Sequence, residues 1–553
     1  MTALLTDNLP LLAGAPNGIK KLRELILELA VRGKLVPQDP RDEPASELLK
    51  RIAEEKARLV AEGKIKRQKQ LADIGEEEWP FELPEQWAWV RLADLAYPQA
   101  GFAFKSGGFN TSGLGLPLIR IRDVGQSFSG TFYEGEYRSE FVVERGDYLI
   151  SMDGQFRVAT WQGDSALLNQ RVARLIFFGN ESACRFIADS LQARLLELQG
   201  VKAYTTVDHL SGGQISEAII ALPPLAEQHR IVAKVDELMA LCDRLEAQQA
   251  DAESAHAQLV QALLDSLTQA SDAADFAQSW QRLAEHFHTL FSTESSIDAL
   301  KQALLQLAVM GKLVAQDSSD ESGSELLHKL WDENDRLERK LPLDIGGDDA
   351  GNWLGMSVPK GWCSCKVSNI AEVKLGSTPS RAEPNYWCGD IPWVSSGEVA
   401  GSIIKSTRER ITLAGYKNSS TAMIPPGSVL IAMIGQGKTR GQSALLEIEA
   451  CTNQNVAALI FNTRFVASRY VWIWAQAMYS LHRAGGHGGA QPALNAKKVK
   501  AFLLPLPPTA EQHRIVAKVD QLMALCDQLK ARLTQARQLN EQLATALVEQ
   551  AVA

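Results

Sequence analysis

Two segments of the chain carry apolar residues at the spacing of a long helix. In the first, apolar side chains recur at intervals of four and three, at Ile231, Val235, Leu238, Cys242 and Leu245. In the second they recur in the same way, at Ile515, Val519, Leu522, Cys526, Leu529 and Leu533. The first pattern weakens at Gln249 and His256 and resumes at Leu259, Leu263 and Leu267. Each segment predicts a helix of about 45 residues, about 65 Å long, with an apolar seam.

The seam has two interpretations. It packs against another helix, most economically the other long helix lying antiparallel, or it is the inner face of an amphipathic helix on the core of its own domain. The uninterrupted length favours the first interpretation, because a helix that long usually spaces other elements apart.

The long helices belong to an internal repeat. The segment PPLAEQHRIVAKVDELMALCDRL at 223–245 returns almost unchanged as PPTAEQHRIVAKVDQLMALCDQL at 507–529. A shorter segment, ELAVRGKLVPQD at 28–39, returns as QLAVMGKLVAQD at 306–317. Each shorter copy precedes a second helical stretch, at 45–52 and 323–330. The chain is therefore one module written twice.

Between these copies lie two blocks that resemble each other only faintly. Short runs rich in Val, Ile, Leu, Phe and Trp alternate with Gly- and Ser-bearing turns, which is typical of strands. The aligned pairs are 116–125 with 391–400, 145–155 with 426–436, and 168–177 with 452–461. Residues 185–199 and 469–484 each predict one helix. Each block is predicted to be an α+β domain with a mostly antiparallel or mixed sheet.

Two further segments predict helices outside the repeat. Residues 271–296 have no counterpart in the first half and predict a connecting helix with a polar lead-in. Residues 54–70 predict a charged helix that ends in a basic cluster. The preferred interpretation of that cluster is a solvent-exposed helix face, and the alternative is a contact with phosphate.

Composition narrows the class of protein without naming a function. The 553 residues exceed one compact core, and 45% hydrophobic with 22% charged residues is ordinary for a globular protein. The chain shows neither a signal peptide nor an apolar run long enough to span a membrane, so we expect a cytoplasmic protein with free thiols at its seven cysteines. A net charge of −9 argues against coating nucleic acid by bulk charge, but a specific reader depends on where its cations lie.

Signatures of catalysis are weak. The string IGQGKTRG at 434–441 is similar to a phosphate-binding loop, but Ala432 stands where that motif needs its first Gly, and strand-like residues follow. Cys363 and Cys365 form a lone C-x-C without a second metal-type pair. His229 and His513 are a repeat pair on the long helices. No NPPY or DPPY tetrapeptide is present. We predict no catalytic residue, metal ligand or bound cofactor.

The chain resembles the specificity subunits of type I restriction–modification systems over essentially its whole length. The features that carry this resemblance are the duplicated PLPPLAEQ-type entry to a long helix, the AVxGKL helices and the two divergent blocks. The resemblance implies an α+β fold of two target-recognition domains separated by a pair of long antiparallel conserved helices, with an internal pseudo-twofold. It implies the conserved helical regions 1–76, 223–340 and 507–553 and the recognition domains 77–222 and 341–506.

The resemblance also implies a non-catalytic DNA reader. Each recognition domain would read one half of a bipartite double-stranded site. Two methyltransferase subunits and two restriction–motor subunits would be the partners, with methylation on adenine in each half-site. S-adenosylmethionine, ATP and Mg would be used by those partners, and no membrane is involved.

The candidate DNA-binding residues are Arg120, Arg122, Asp153, Gln155, Arg157, Lys202 and Tyr204 in the first block and Gln436, Lys438, Arg440, Gln491 and Asn495 in the second. Arg and Gln suit paired contacts to guanine and adenine edges, and Tyr stacks or binds phosphate.

Local patterns place these candidates on a strand face and on loops. Arg120 and Arg122 are expected on one face of a strand, which is either a reading face or plain solvent-exposed surface. The loop at 153–157 has a counterpart at 435–440 after the same strand, which favours DNA contact over a neutral turn. Residues 484–498 and 209–218 are expected to form loops before a strand.

Two other classes remain open. One is an enzyme, either a DNA methyltransferase in its own right or a fused restriction protein, which the missing signatures argue against. The other is a coiled-coil scaffold that reads no DNA, which the acidic pI of 5.7 supports and the two large β-rich blocks oppose.

Overall fold

The computed structural model shows a protein of mixed helix and sheet. It describes residues 11–552 apart from 66, 68–70, 180–183, 203–208, 271–272, 337–351, 354–355, 401, 436–437 and 485–493. The described chain forms two compact units, one of Met1–Asp251 with Ala536–Ala553 and one of Ala252–Gln535. None of the described helices is long and apolar enough to cross a membrane. All seven cysteines are free thiols, as predicted.

The helices are α1 (Gly18–Val31), α2 (Ala45–Ala61), α3 (Leu92–Leu95), α4 (Cys184–Lys202), α5 (Gly212–Glu217), α6 (Leu225–Thr268), α7 (Ala273–Glu285), α8 (Phe287–Leu290), α9 (Glu294–Val309), α10 (Gly323–Arg336), α11 (Val367–Ile370), α12 (Leu413–Lys417), α13 (Ser468–Ala477), α14 (Tyr479–Ala484), α15 (Ala496–Lys500) and α16 (Thr509–Val552). The predicted long helices are α6 and α16, each of 44 residues.

The strands of the first unit are β1 (Ala88–Arg91), β2 (Ala96–Ala100), β3 (Phe109–Asn110), β4 (Leu116–Ile119), β5 (Phe132–Tyr133), β6 (Val142–Val143), β7 (Tyr148–Ser151), β8 (Val158–Thr160), β9 (Ala166–Leu168), β10 (Val172–Phe177) and β11 (Ile219–Leu222). They form a four-stranded antiparallel sheet in the order β2-β10-β7-β8 and a five-stranded sheet in the order β3-β5-β4-β9-β6. Strands β1 and β11 make a separate pair.

The strands of the second unit are β12 (Asn352–Trp353), β13 (Met356–Ser357), β14 (Cys363–Lys366), β15 (Ala371–Leu375), β16 (Trp387–Val394), β17 (Ile403–Ile404), β18 (Glu409–Ile411), β19 (Val429–Ala432), β20 (Ser443–Leu446), β21 (Cys451–Thr452), β22 (Val456–Phe461) and β23 (Leu503–Leu506). The sheets have the orders β15-β22-β19-β20-β17 and β18-β16-β21, and β14 pairs with β23. The order β15-β22-β19-β20 repeats β2-β10-β7-β8 of the first unit, and β18-β16-β21 repeats β5-β4-β9. Parallel pairs, β4–β9 and β16–β21, occur in both, so the predicted mixed sheet is confirmed.

The apolar seam of each long helix packs mainly against the shorter helix of its own repeat. In the first unit Val235 and Cys242 of α6 share a core with α1, which Ala544 near the end of α16 also joins. In the second unit Cys526 of α16 shares a core with α9 and with Val260 near the end of α6. Both interpretations of the seam therefore hold in part, because each core contains the shorter helix of its own repeat and a residue of the other long helix.

Four details of the helices differ from the sequence prediction. Leu259 is exposed, while Val260 and Leu264 are buried, because the seam changes register after its polar interruption. Helix α2 ends at Ala61, before the basic cluster, where Gly63 takes a left-handed φ of 69° that ends a helix readily. The connecting segment 271–296 holds α7, α8 and the start of α9 rather than one helix. The helix predicted at 469–484 is divided into α13 and α14 at Met478.

A buried glutamate joins the start of each long helix to the first strand region of the same unit. Glu227 lies in the first turn of α6 and accepts a hydrogen bond of 3.0 Å from Nε1 of Trp87. Glu511 lies in the first turn of α16 and accepts one of 3.0 Å from Nε1 of Trp362. Burial raises the pKa of both carboxyls above its ordinary value. The repeat therefore preserves a costly polar contact as well as an apolar seam.

We expect these two glutamates to make the folded chain less stable as pH rises. Because their pKa is raised by folding, the folded state binds more protons than the unfolded state at pH values between the ordinary pKa and the raised pKa. The unfolding free energy therefore falls as pH increases through that window. The double variant Glu227→Gln, Glu511→Gln should lose this part of the pH dependence. Urea-unfolding midpoints at several pH values measure it, and identical slopes for variant and wild type would contradict the expectation.

Candidate nucleic-acid interface

Three strands of the first unit begin or end at one edge of the four-stranded sheet. β2 ends at Ala100, β7 ends at Ser151 and β10 begins at Val172. Backbone hydrogen bonds join the segments beyond these ends: the N–H of Gln170 donates to the oxygen of Phe102 at 2.9 Å, and the N–H of Met152 to that of Arg171 at 3.0 Å. The N–H of Leu210 donates to the oxygen of Met152 at 2.7 Å. We call the segments 101–103, 152–157, 169–171 and 209–210 edge A.

Edge A carries a charged cluster. The carboxylate of Asp153 contacts Nδ1 of His209 at 2.6 Å and Nε of Arg171 at 3.3 Å. Nη1 of Arg171 also lies 3.1 Å from Nδ1 of His209. Asp153 therefore faces its own domain, where Arg171 and His209 are its partners. Those two partners are themselves exposed.

The β7–β8 loop of edge A is held by hydrogen bonds within the loop. Oγ of Ser151 donates to the oxygen of Gln155 at 2.7 Å and accepts from the N–H of Arg157 at 2.9 Å. The guanidinium of Arg157 in turn donates to Oε1 of Gln155. Gln155 is exposed and Arg157 is half-buried. These two predicted residues are therefore neighbours on an ordered loop.

The second unit builds the same edge from the same strand ends. The N–H of Ser377 donates to the oxygen of Thr452 at 2.9 Å, and the N–H of Met433 to that of Asn455 at 2.8 Å. The N–H of Leu494 donates to the oxygen of Met433 at 3.0 Å. We call the described residues of 376–378, 433–442, 453–455 and 494–495 edge B.

Polar side chains also mark edge B. Oγ1 of Thr378 donates to Oε1 of the exposed Gln454 at 2.6 Å. Lys438 is exposed on the β19–β20 loop, and its backbone oxygen accepts a 2.7 Å hydrogen bond from the hydroxyl of Tyr479. Arg440 follows on the same loop and is half-buried. Edge B therefore presents amides and a lysine where edge A presents a charged cluster.

The structure corrects the prediction for Arg120 and Arg122. Strand β4 ends at Ile119, and a 3₁₀ turn over Ile121–Asp123 follows, so the two residues do not share a strand face. The buried Asp123 causes the turn, because its carboxylate accepts the N–H of Arg120 at 2.8 Å and that of Ser129 at 2.7 Å.

The side chain of Arg122 forms hydrogen bonds that stabilise this turn. It donates to Oγ of Ser129 at 2.9 Å and to Oγ1 of Thr131 at 3.3 Å. The turn approaches edge A at Gly125, where an added Cβ would lie 4.0 Å from Cδ of Arg157. A role for Arg120 and Arg122 in binding DNA stays a prediction.

The segments predicted as loops before the last strands contain short helices where they are described. Helix α5 lies within 209–218, and α15 begins at Ala496, whereas 485–493 lie outside the described residues. Asn495 caps α15 by accepting the N–H of Lys498 at 2.9 Å, and Ser211 caps α5 by accepting the N–H of Gln214 at 3.2 Å. A Ser or Asn at this position satisfies a helix N–H, which is why helices form there. Tyr204, Gln436 and Gln491 lie outside the described residues, and of Lys202 only its place at the end of α4 is described.

Sequence reasoning missed the strand-start residues of both edges. Arg171 precedes β10 and Asn455 precedes β22, each after an exposed Gln at 170 and 454. The sequence did contain a signal for these two residues. In the aligned segments LNQRV and TNQNV an identical Asn-Gln pair is followed by Arg171 in one copy and by Asn455 in the other. The contacts of His209 with Asp153 and of Phe102 with Gln170 join residues far apart in sequence, which no local pattern indicates.

The fold and the two edges define a duplicated protein of mixed helix and sheet, in which one frame carries two differing polar surfaces. The profile of the type I restriction modification DNA specificity domain matches residues 84–253 and 359–537. The specificity subunits of the type I restriction enzymes EcoAI and EcoEI of Escherichia coli are each 34% identical to this chain, over 97% of this chain and 94% of theirs. The chain belongs to the family of type I restriction–modification DNA specificity subunits.

One solved structure, from work on the complex assembly and conformational transition of the type I R-M system, aligns over 86% of this chain and 99% of that chain. Its TM-score is 0.49 and its sequence identity is 17%.

Proposed function

We propose that this protein reads a bipartite double-stranded DNA sequence, with one half-site contacted by edge A and the other by edge B. The observation that carries the proposal is the equivalence of the two edges. The same strand ends and the same backbone hydrogen bonds present different side chains, at Arg171 and Asn455 for example. One frame with two side-chain sets suits two unlike half-sites, because base-edge contacts supply sequence information.

The charge of the chain is compatible with this role. A net charge of −9 gives little attraction to DNA at long range, so affinity must come from locally placed cations. Arg157 on edge A and Lys438 on edge B are such cations. Phosphate contacts would set the register, and the amide and guanidinium groups would supply the readout.

The family membership supports the rest of the proposal. The chain itself would catalyse no reaction, and two methyltransferase subunits and two restriction–motor subunits would act on DNA in the cytoplasm. These partners would use S-adenosylmethionine, ATP and Mg, and methylation would fall on adenine. The recognition domains would be 77–222 and 341–506, joined by the helical regions 1–76, 223–340 and 507–553.

Selection of bound duplexes from a randomised library tests the proposal. The full chain, co-expressed with the methyltransferase subunit of its own genome, should enrich two short specified blocks separated by unspecified bases. The complex should hold two methyltransferase subunits, since a duplicated frame offers two equivalent surfaces. Enrichment of no sequence, as expected for a coiled-coil scaffold that reads no DNA, or of one continuous block would contradict bipartite reading. Methyl transfer by the chain alone would instead favour an enzyme.

A further inference from the structure

One position of the repeat holds the same backbone geometry in both domains and a different side chain. Arg171 immediately precedes β10, and Asn455 immediately precedes β22. The backbone oxygen of each accepts an N–H at the end of the neighbouring strand, from Met152 at 3.0 Å and from Met433 at 2.8 Å. The backbone at this position is therefore the same in both domains. A different side chain there changes the chemical groups that the edge exposes without changing the backbone that carries them.

The guanidinium of Arg171 is oriented by its neighbours. Asp153 lies 3.3 Å from Nε, and His209 lies 3.1 Å from Nη1. About half of the Arg171 side chain, 52%, is exposed. Its contacts with described residues engage Nε and Nη1 of the guanidinium. Orientation in advance reduces the conformational entropy that a long side chain loses on binding.

Asp153 also selects the kind of contact that Arg171 can make. A carboxylate beside the guanidinium cancels much of its attraction to a phosphate and repels the phosphate itself. A base edge in the major groove carries no net charge, so it avoids that repulsion. Guanine offers two acceptors, and paired contact with them is the preferred base contact of Arg.

The residue that corresponds to Asp153 also differs in the second domain. The counterpart of Asp153 in the aligned β7 and β19 segments is Ile434, which is exposed. Asn455 is a neutral amide and needs no counter-charge. Its backbone N–H donates to Oδ1 of Asn453 at 3.0 Å, which holds the turn that presents it. An Asn side chain makes paired contacts with adenine.

Resting on the proposed function, we propose that residues 171 and 455 are the equivalent base-reading positions of the two domains. Arg171, with Asp153 as its positioning residue, reads a guanine in one half-site, and Asn455 reads an adenine in the other.

Library selection with the full chain and its methyltransferase partner tests this proposal through three variants. Arg171→Asn should reduce the preference for one guanine about tenfold or more and leave the other half-site unchanged. Asp153→Asn should weaken the same preference without reducing the slope of affinity against salt, because no phosphate contact is removed. Asn455→Ala should reduce the preference for one adenine in the other half-site.

Arg145→Gln is the matched control. Arg145 is an exposed arginine paired with Asp164 at 3.4 Å, and it lies before β7, at the opposite end of that strand from edge A. This variant should select the wild-type motif. Thermal unfolding of each complex shows whether a change of motif arises from a loss of fold.

The outcomes separate this proposal from the function on which it rests. A wild-type complex that enriches no motif would overturn the proposed function and this inference with it. A bipartite wild-type motif that Arg171→Asn leaves intact would overturn the inference alone. A uniform loss of affinity for all sequences, with a smaller salt dependence, would show that Arg171 contacts a phosphate and would also overturn it.

Discussion

Exchange of residues 77–222 for the corresponding domain of a relative is expected to replace one half of the recognised DNA sequence and to leave the other half intact. The strands that form edge A all lie inside this block. Edge B is built entirely from residues 376–495, which the exchange does not touch. The expected effect is large, because every base-reading side chain of one half-site is replaced at once.

The donor domain must satisfy contacts from outside the block. Leu48 and Ile52 of α2 belong to the core that also holds Ile150 and Leu175. A donor with residues of similar size at those contacts keeps that core filled. Library selection measures the motif, and a chain carrying a second copy of 341–506 in place of 77–222 is the sharpest control, since it should select two identical half-sites. A change in both halves, or in neither, would refute modular reading.

Substitution of Gly376 by alanine is expected to destabilise edge B and abolish recognition of its half-site. A Cβ at Gly376 would lie 1.7 Å from the backbone oxygen of Thr452. That oxygen accepts the N–H of Ser377, so the clash falls on backbone that cannot move without breaking a hydrogen bond of the edge. Forced rearrangement of packed structure typically costs about 1–3 kcal/mol. The unaltered half-site should still be selected.

Gly397→Ala is the matched control in the same domain. A Cβ there would lie 3.8 Å from Oγ of Ser395, which is an ordinary contact. Library selection and thermal unfolding of the two variants give the comparison. If Gly376→Ala retained the complete motif and the wild-type melting temperature, the close packing at edge B would not matter for recognition.

The repeat predicted most of the frame from sequence. Near-identity at 223–245 and 507–529 predicted both long helices, and their seams predicted which faces are buried. The departure at Leu259 came from a change of register that a strict four-and-three pattern does not allow. Periodicity therefore predicted the existence and length of these helices better than the burial of single residues.

The candidate site was predicted less completely, for two physical reasons. A local carboxylate, Asp123, ended strand β4 and turned the backbone at Arg120, which an alternating pattern does not reveal. The partners of Asp153, in contrast, are Arg171 and His209, which are brought to it by strand pairing. The sequence could indicate the loop but not that its acid faces inward. Asn495 likewise satisfies a helix N–H, a local role that competes with contact to DNA.

Site-specific photocrosslinking from the two equivalent glutamines tests the central claim most directly. Gln170 and Gln454 are exposed, and each precedes the position proposed to read a base. A photoreactive residue at 170 should crosslink to one half of the selected DNA site, and one at 454 should crosslink to the other half, whereas one at Arg145 should give no crosslink. Crosslinks from both glutamines to the same half-site, or from neither, would contradict the assignment of edge A and edge B to separate halves of one sequence.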